Sequence, residues 1–522
     1  MNGFEVLPFQ DHKWCLITPP PALRQNLLDL IPGVKDAGED GLLAPWDLAT
    51  CDVLSALDLP NESPMVRDYH WPIPAPWDVM EHQFTATSFL VTRRRAYLLM
   101  EQGTSKTFCA AWAADYLMRI GRAKRVLVIS VNSTLDDVWA EHIHRLGPQH
   151  RTALLSGSKK QRLDALAMSP QWAIINYEGV GVIAKELAVF AKDQIIICDE
   201  TVMLKNWQAQ RTQCVAPLVA NARYAWALTG APTPQSPEDA YGQARTFTPW
   251  TVPTTEGEWK FRVMEKRGPF KWVPRDNAAA KVAKALSPSF IVRKRDVLKN
   301  LPPCTKEFLR VPLSAAQETA MQSLKAEAKA TLDSGVRITA VHKSAIATKL
   351  RQIAAGAVYG EDKAVVHVDD APRFKELERI LAASAAGKSL VMVPFKNVAV
   401  ALHARLKAQG FLLVYGDVAL KERKAAFDAV QHGDAAGIVA VGSTMAHGIT
   451  QTACDQLIWY CPPDKSDTYQ QANARIDRNG QKLPTTVFHL YATLAERKLF
   501  EGLDSAERLQ AAIMSITDDM LA

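Results

Sequence analysis

The sequence predicts an α/β protein: two parallel-sheet lobes in tandem, a small accessory domain ahead of them and a helical insertion between them. Three observations predict it. Short apolar runs alternate with helical stretches, at about 96–100, 125–130, 172–178, 194–198 and 224–228, and again at about 389–395, 411–415, 437–442, 456–460 and 485–491. Such alternation implies parallel strands with helices on both faces. The length, 522 residues, accommodates three or four domains, each with its own core. The stretch between the two series differs in composition: Lys260 to Lys306 holds thirteen Lys/Arg against three Asp/Glu, whereas the whole chain carries only +6. The expected boundaries are 1–75 for the accessory domain, 76–245 for the first lobe, 246–370 for the basic and aromatic insertion, and 371–522 for the second lobe.

Along the first domain, Pro19-Pro-Pro21 stiffens a turn and Leu23 to Leu30 reads as a short amphipathic helix ended by Ile31-Pro-Gly33. Leu42-Leu-Ala-Pro-Trp46 reads as a short strand before a second helix to about Leu57.

The first lobe opens on Ala96-Tyr-Leu-Leu-Met-Glu-Gln-Gly-Thr-Ser-Lys-Thr107. A buried strand, a loop with one glycine and Lys-Thr at a helix start form the layout of a phosphate loop. There backbone N–H groups face phosphates, Lys106 adds charge and the Thr107 hydroxyl suits Mg²⁺. The full G-x-x-x-x-G-K-[ST] pattern would have glycine at 100 and 105, where Met and Ser stand. By itself the segment is a nucleotide loop or an ordinary strand-to-helix turn. Gln194-Ile-Ile-Ile-Cys-Asp-Glu200 then delivers two carboxylates from the end of an apolar strand, where open α/β sheets place ligands. Asp199 suits a metal held partly through water and Glu200 suits the attacking water. The alternative is an acidic strand end in solvent. Tyr224-Ala-Trp-Ala-Leu-Thr-Gly230 repeats the design.

In the second lobe, Gln471-Ala-Asn-Ala-Arg-Ile-Asp-Arg-Asn-Gly-Gln481 places Arg475 and Arg478 three apart, on one face if helical, with Asn479-Gly480 as the helix stop. Two guanidiniums on one face suit a polyphosphate, or they are a solvated pair.

Apolar content of 48% and charge of 22% are those of a globular protein. No run of 18 apolar residues occurs and the N-terminus lacks a signal peptide's basic start, so no membrane partner is expected. Eight scattered cysteines without a C-x-x-C pair argue for reduced thiols and against structural zinc. The expected location is a cytoplasm.

Taken in order, these segments resemble the motifs of a superfamily 2 ATPase of the Swi/Snf-related type, notably the compact single-chain versions of bacteriophages and bacteria. His82-Gln83 resembles the adenine-reading element, Gly103-Thr-Ser-Lys-Thr107 motif I, and Val126-Leu-Val-Ile-Ser-Val131 with the following helix motif Ia. Asp199-Glu-Thr-Val-Met-Leu-Lys-Asn206 resembles the extended motif II, and Leu228-Thr-Gly-Ala-Pro-Thr-Pro234 motif III. Gly442-Ser-Thr-Met-Ala-His-Gly448 resembles motif V, the 471–481 segment motif VI, and Phe290-Ile-Val-Arg-Lys-Arg295 with Leu301-Pro-Pro303 the connection between lobes. Two positions depart from the family: Ser105 replaces a usual glycine, and Val202 stands where many relatives carry a histidine linking nucleotide state to the other lobe.

The resemblance implies two RecA-like lobes that bind ATP and Mg²⁺ in the cleft between them. It implies ATP binding by Gln83, Gly103, Thr104, Ser105, Lys106, Thr107, Asp199, Gly448 and Gln471, with Thr107 and Asp199 holding the metal. Catalysis would rest on Lys106, Glu200, Arg475 and Arg478. Lys205, Asn206 and Arg211 would lie on the DNA-facing side.

In the insertion, basic groups interleaved with Trp259, Phe261, Phe270, Trp272 and Phe290 fit nucleic acid, because cations neutralise phosphates and aromatics stack. The bland alternative is a solvated protrusion with a small core of its own. Lys271, Trp272, Arg293 and Lys294 are the candidate DNA contacts here. The order helix, Ile-Pro-Gly, strand, Pro-Trp, helix in residues 1–75 resembles the small HARP-type module of annealing helicases, which implies branched or forked DNA. The expected protein is a monomeric ATP-dependent DNA translocase. A strand-separating DNA or RNA helicase and a nucleotide-gated DNA-binding protein with weak turnover are the alternatives.

Overall fold

The computed structural model describes residues 3–7, 13–72, 79–147, 149–268, 272–333, 340–359, 364–444 and 450–503. The chain divides into two compact units between Arg293 and Lys294. That boundary falls inside the segment expected as one insertion, 246–370, so its two parts belong to different units.

The first unit is built on a seven-stranded sheet whose paired strands are all parallel. In spatial order they are Ser289–Val292, Arg95–Met100, Tyr224–Thr229, Ile195–Asp199, Val126–Ser130, Trp172–Asn176 and Thr152–Leu154. The four strands Tyr224–Thr229, Ile195–Asp199, Val126–Ser130 and Trp172–Asn176 are buried along their whole length. Helices cover both faces of such a sheet, which is why these strands read as continuous apolar runs rather than alternating ones. The five expected strands are present, and both edge strands were missed. Ser289–Val292 lies in the segment read as connector, and Thr152–Leu154 is only three residues long.

The first residues form a four-stranded antiparallel sheet in the order Gly3–Val6, Trp14–Thr18, Leu42–Pro45, Lys35–Asp36. The helices Pro21–Leu30 and Leu48–Ala56 pack on it around Cys15, Ile17, Leu27, Leu42, Cys51 and Leu54. Asp47 caps the second helix by accepting from Thr50 N–H (2.8 Å). Gly41 has φ +126° and sits where a Cβ would be 2.5 Å from the Ile17 carbonyl oxygen, so the turn requires glycine. This module is tied to the larger sheet's helices. Arg122 pairs with Asp52 (3.0 Å), Ser63 N–H donates to Ser88 Oγ (2.8 Å), and the Tyr69 hydroxyl donates to buried Asp115 (2.6 Å).

The second unit is built on a six-stranded sheet, again all parallel: Cys304–Arg310, Thr485–Tyr491, Gln456–Trp459, Ser389–Val393, Gly437–Val441 and Phe411–Val414 in spatial order, with a separate antiparallel pair, Ala357–Tyr359 and Val365–His367. Apolar clusters around Val391 and Ile458, and around Leu390 and Trp459, fill its two faces. Two sheets of this kind are the expected tandem α/β lobes. Cys304–Arg310 was missed because its charged, largely exposed residues do not read as a buried strand.

All eight cysteines are free thiols; six are buried, while Cys214 and Cys304 are half-buried. Burial pushes the thiols of Cys15, Cys109, Cys454 and Cys461 up to about 12. Among the described residues no helix is long and apolar enough to cross a membrane.

Candidate nucleotide site and nucleic-acid face

The Arg95–Met100 strand ends under a tight loop that leads into the helix Lys106–Arg119. Gly103 (φ +85°) and Ser105 (φ +70°) both take left-handed backbone there. Glycine does so without strain, whereas a residue with a Cβ loses about 1 kcal/mol or more. The loop is closed by Thr104, whose Oγ1 donates to the Glu101 carbonyl (2.7 Å). Lys106 is 9% exposed and folds back over the loop, donating to the Met100 carbonyl (2.8 Å). A cation beside a tight loop at a helix N-terminus is an arrangement that suits a phosphate group. Thr107, one residue into the helix, is half-buried.

Two neighbours fit the loop closely. A Cβ on Gly230 would stand 3.1 Å from the Met100 carbonyl oxygen and 3.4 Å from Gln102 N, so this glycine lets the adjacent strand end approach the loop. On the other side the His82 ring lies 3.3 Å from the Thr104 carbonyl oxygen. Burial holds the His82 imidazole below its ordinary pKa, partly offset by that carbonyl. Gln83, expected to read adenine, is 6% exposed, and its Oε1 caps its own helix by accepting from Met80 N–H (3.0 Å). That oxygen is engaged in holding the helix start.

One strand beyond Tyr224–Thr229, the Ile195–Asp199 strand ends in the two expected carboxylates. Asp199 is 6% exposed. Its Oδ2 accepts from Ser130 Oγ (3.0 Å) and Trp139 Nε1 (2.9 Å), its Oδ1 from Glu200 N–H (3.0 Å), and its backbone carbonyl from the Tyr177 hydroxyl (2.7 Å). Glu200 has φ +53°, a left-handed turn that breaks the strand direction right after Asp199, and its side chain is half-buried. The Thr107 hydroxyl and the Asp199 carboxylate are hard oxygen donors, which suits Mg²⁺ and not a soft metal. Ser130, Trp139 and Tyr177 were missed by sequence reasoning. Their one signal was a hydroxyl ending a buried strand beside motif II.

The motif II extension continues as a tight turn, Thr201–Leu204. Thr201 Oγ1 donates to buried Gln243 Oε1 (3.0 Å). A Cβ on Gly242 would fall 2.2 Å from the Leu204 carbonyl oxygen, so the following helix rides directly on this turn. Lys205 donates to Gln235 Oε1 (3.0 Å), Asn206 is exposed with its Oδ1 on Gln208 N–H (2.9 Å), and Arg211 pairs with Glu178 (3.2 Å).

The basic protrusion is more balanced than its composition implied. Lys260 pairs with Glu238 (2.9 Å), Arg262 with Glu258 (2.6 Å) and Arg267 with Glu265 (3.3 Å). Trp272 lies edge-on to exposed Phe261 with Lys260 over its ring (4.9 Å to the centroid). Arg293 is half-buried at the end of the first unit. Lys271 and Gly448 lie outside the described residues.

In the second unit the arginine segment departs from its expected geometry. The helix Ser466–Asn473 carries Gln471 but stops before both arginines, which sit in the turn that follows. Asn473 ends the helix with its side chain on Trp459 Nε1 (2.9 Å), and Ile476 is drawn fully into the core. Gln481 then closes the turn, donating to the Cys454 (2.9 Å) and Ile476 (3.0 Å) carbonyls. Arg475 is 3% exposed, and loss of hydration pulls the Arg478 guanidinium below its ordinary pKa. Lys294, expected on DNA, is 8% exposed. It donates to the Asp477 carbonyl (2.7 Å) and pairs with the Asp477 carboxylate, which also takes Arg295 (2.9 Å). Lys294 thus clamps the arginine turn through Asp477.

Comparison with known proteins places this geometry. The model of the SNF2-related domain matches residues 82–355, and that of the helicase conserved C-terminal domain matches residues 372–480. The chain is 26% identical over 261 residues to the SWI/SNF-related matrix-associated actin-dependent regulator of chromatin subfamily A-like protein 1 of Xenopus laevis, covering 48% of this chain and 26% of that protein. It is 24% identical over 333 residues to the Caenorhabditis elegans homologue, covering 58% of this chain and 47% of that one. The chain thus spans between a quarter and a half of the length of these relatives. A solved structure described as the Sulfolobus solfataricus SWI2/SNF2 ATPase core in complex with dsDNA aligns with TM-score 0.40 and 18% identity, over 86% of this chain and 96% of that one. With the SNF2-related model covering more than half of its length, and the helicase C-terminal model following it, the chain belongs to the SNF2-related family of superfamily 2 helicase-like ATPases.

Proposed function

We propose that the protein is an ATP-driven translocase on duplex or branched DNA. The observation that carries this reading is that the loop leading to Lys106 and the Asp199–Glu200 pair follow two strands flanking Tyr224–Thr229 in one sheet. In the proposed cycle Lys106 and the amides of 103–107 bind the β- and γ-phosphates, and Thr107 and Asp199 hold Mg²⁺. The metal would neutralise charge on the transferred phosphoryl group. Glu200 orients the attacking water and accepts its proton. Arg475 and Arg478, from the second unit, stabilise charge on the γ-phosphoryl group as it leaves. Lys205, Asn206 and Arg211 contact the DNA backbone, and alternation between ATP-bound and free states drives movement. The N-terminal module, with its resemblance to the HARP type, supports forked or branched DNA as the preferred substrate, and the working species is a monomer.

The test is ATP turnover with and without duplex DNA, for the native protein, Lys106→Ala and Glu200→Gln. DNA should stimulate the native enzyme, and both substitutions should remove that activity. Absence of stimulation, or turnover that survives both substitutions, overturns the proposal. Ser105 in left-handed backbone favours a second reading, a nucleotide-gated DNA-binding protein of weak turnover. That reading requires ATP-dependent DNA affinity in a protein whose hydrolysis DNA does not accelerate. Fork regression measured beside strand displacement then separates a duplex translocase from a strand-separating helicase.

A further inference from the structure

Asp199 is gripped from a part of the fold that the nucleotide site does not otherwise use. The strand Val126–Ser130 runs beside Ile195–Asp199 with Ile129 opposite Cys198, which brings Ser130 next to Asp199. A π-helical turn, Leu135–Ala140, follows and delivers Trp139 to the same place. Wide turns of this kind are less favourable than α-helix and recur where a side chain must be aimed. Trp139 is 0% exposed. An indole N–H can only donate, and a buried one needs an acceptor. Phenylalanine would supply most of the apolar contact without that demand.

The acceptor is Asp199 Oδ2, which also takes the Ser130 hydroxyl. A carboxylate oxygen has two lone-pair sites, so these two donors saturate Oδ2. The carboxylate is an acceptor only, so the Ser130 proton goes to Asp199; the Thr134 hydroxyl, 2.7 Å from Ser130 Oγ, also reaches the Val131 carbonyl (3.0 Å). With Oδ1 on the Glu200 N–H as well, the carboxyl plane is fixed against rotation by donors on three different segments.

We infer that Trp139, assisted by Ser130, is a positioning residue for Asp199. It sets the orientation of the carboxylate toward Mg²⁺-nucleotide without touching nucleotide or metal itself. Partners behind a metal-holding carboxylate act in this way, and their loss weakens metal binding more than binding of the bare ligand. The inference rests on the nucleotide-site reading above.

The experiment measures ADP affinity by calorimetry with and without Mg²⁺, for the native protein, Trp139→Phe and Ser130→Ala, each also in an Asp199→Asn background. The native protein should show a Mg²⁺-dependent gain in affinity; absence of that gain defeats the nucleotide-site reading itself and is seen before any variant is made. Trp139→Phe should reduce the gain about tenfold. Mg²⁺-free affinity should stay within about twofold of native, because Asp199 acts through the metal. In the Asp199→Asn background neither substitution should reduce the gain further. An unchanged gain in Trp139→Phe overturns the inference, and so does a loss that persists in full without the Asp199 carboxylate. Should Trp139→Phe lower the melting temperature, Ser130→Ala, which removes only a hydroxyl from the same oxygen, must still reduce the gain. A native gain in Ser130→Ala then rules the inference out.

Discussion

The two halves of the proposed catalytic apparatus are built in opposite ways. Asp199 ends a fully paired strand with Glu200 directly after it, and Lys106 opens the helix that a short loop joins to the paired strand Arg95–Met100, so backbone hydrogen bonds set where each side chain starts. Arg475 and Arg478 stand in a turn after a helix that ends early, and side-chain contacts fix it: Asp477 on Lys294 and Arg295, Gln481 on two carbonyls. A strand end is held by main-chain hydrogen bonds that side-chain changes other than to proline leave in place. A turn of this kind depends on a few named side chains, which makes it the more fragile half.

The largest effect should come from the arginines. Arg475→Ala or Arg478→Ala should lower turnover by about 10³-fold while nucleotide affinity changes only a few-fold. Equal losses in both would make the pair ordinary binding groups and dissolve the contrast. Glu200→Gln, on the strand-end side, should lower turnover by about 10²- to 10⁴-fold with nucleotide and DNA binding retained, since it removes only a base.

Next comes the clamp. Asp477→Asn leaves the Lys294 ammonium without its charge partner at 8% exposure, and should destabilise the second unit by about 2–3 kcal/mol in denaturant titration. Lys294→Met should leave the salt dependence of DNA binding unchanged. A reduced salt slope would return Lys294 to the DNA interface.

The helix behind the phosphate loop supplies a pH test. Burial pulls His142, whose ring lies 4.0 Å from that of Phe108, down to about 4. The native state therefore keeps it neutral while the unfolded chain binds a proton below about 6.5. Its contribution is intact above that pH and declines as pH falls toward 4. The loss should be about 2–3 kcal/mol, and His142→Gln should flatten that part of the stability profile. The smallest effect is expected at Ser105→Gly, which relieves left-handed strain in the phosphate loop. It should raise thermal stability by up to about 1 kcal/mol, the gain being reduced by glycine's greater unfolded-state entropy.

What was legible in the sequence follows the same division. Central strands announce themselves because burial on both faces demands uninterrupted apolar residues, so Ile195–Asp199 and Val126–Ser130 were visible, the first with its terminal carboxylates, while the role of the Ser130 hydroxyl was not. Edge strands such as Cys304–Arg310 have one exposed flank and read as connector. The arginine spacing fits a helix, but Ile476 between them is wanted by the core and Asn473 by Trp459, and those tertiary contacts override the local pattern. Lys294 looked like one of many cations in a basic run. Nothing in a linear charge count distinguishes it from its neighbours, because its partner lies 183 positions away. Gln83 carries the same lesson: its amide could face a base or its own helix start, and residue type alone does not choose.

The distribution of thiols has a practical consequence. Six cysteines are shielded, and Cys304, though half-buried, has its thiol pushed up by desolvation. Cys214 remains as the accessible thiol. Alkylating probes react with thiolate, so at neutral pH a maleimide dye should modify Cys214 first. Replacing that one residue by serine would leave a background quiet enough for a dye pair, one on each unit, to measure whether nucleotide changes their separation in single molecules, without stripping the core of its remaining sulfur.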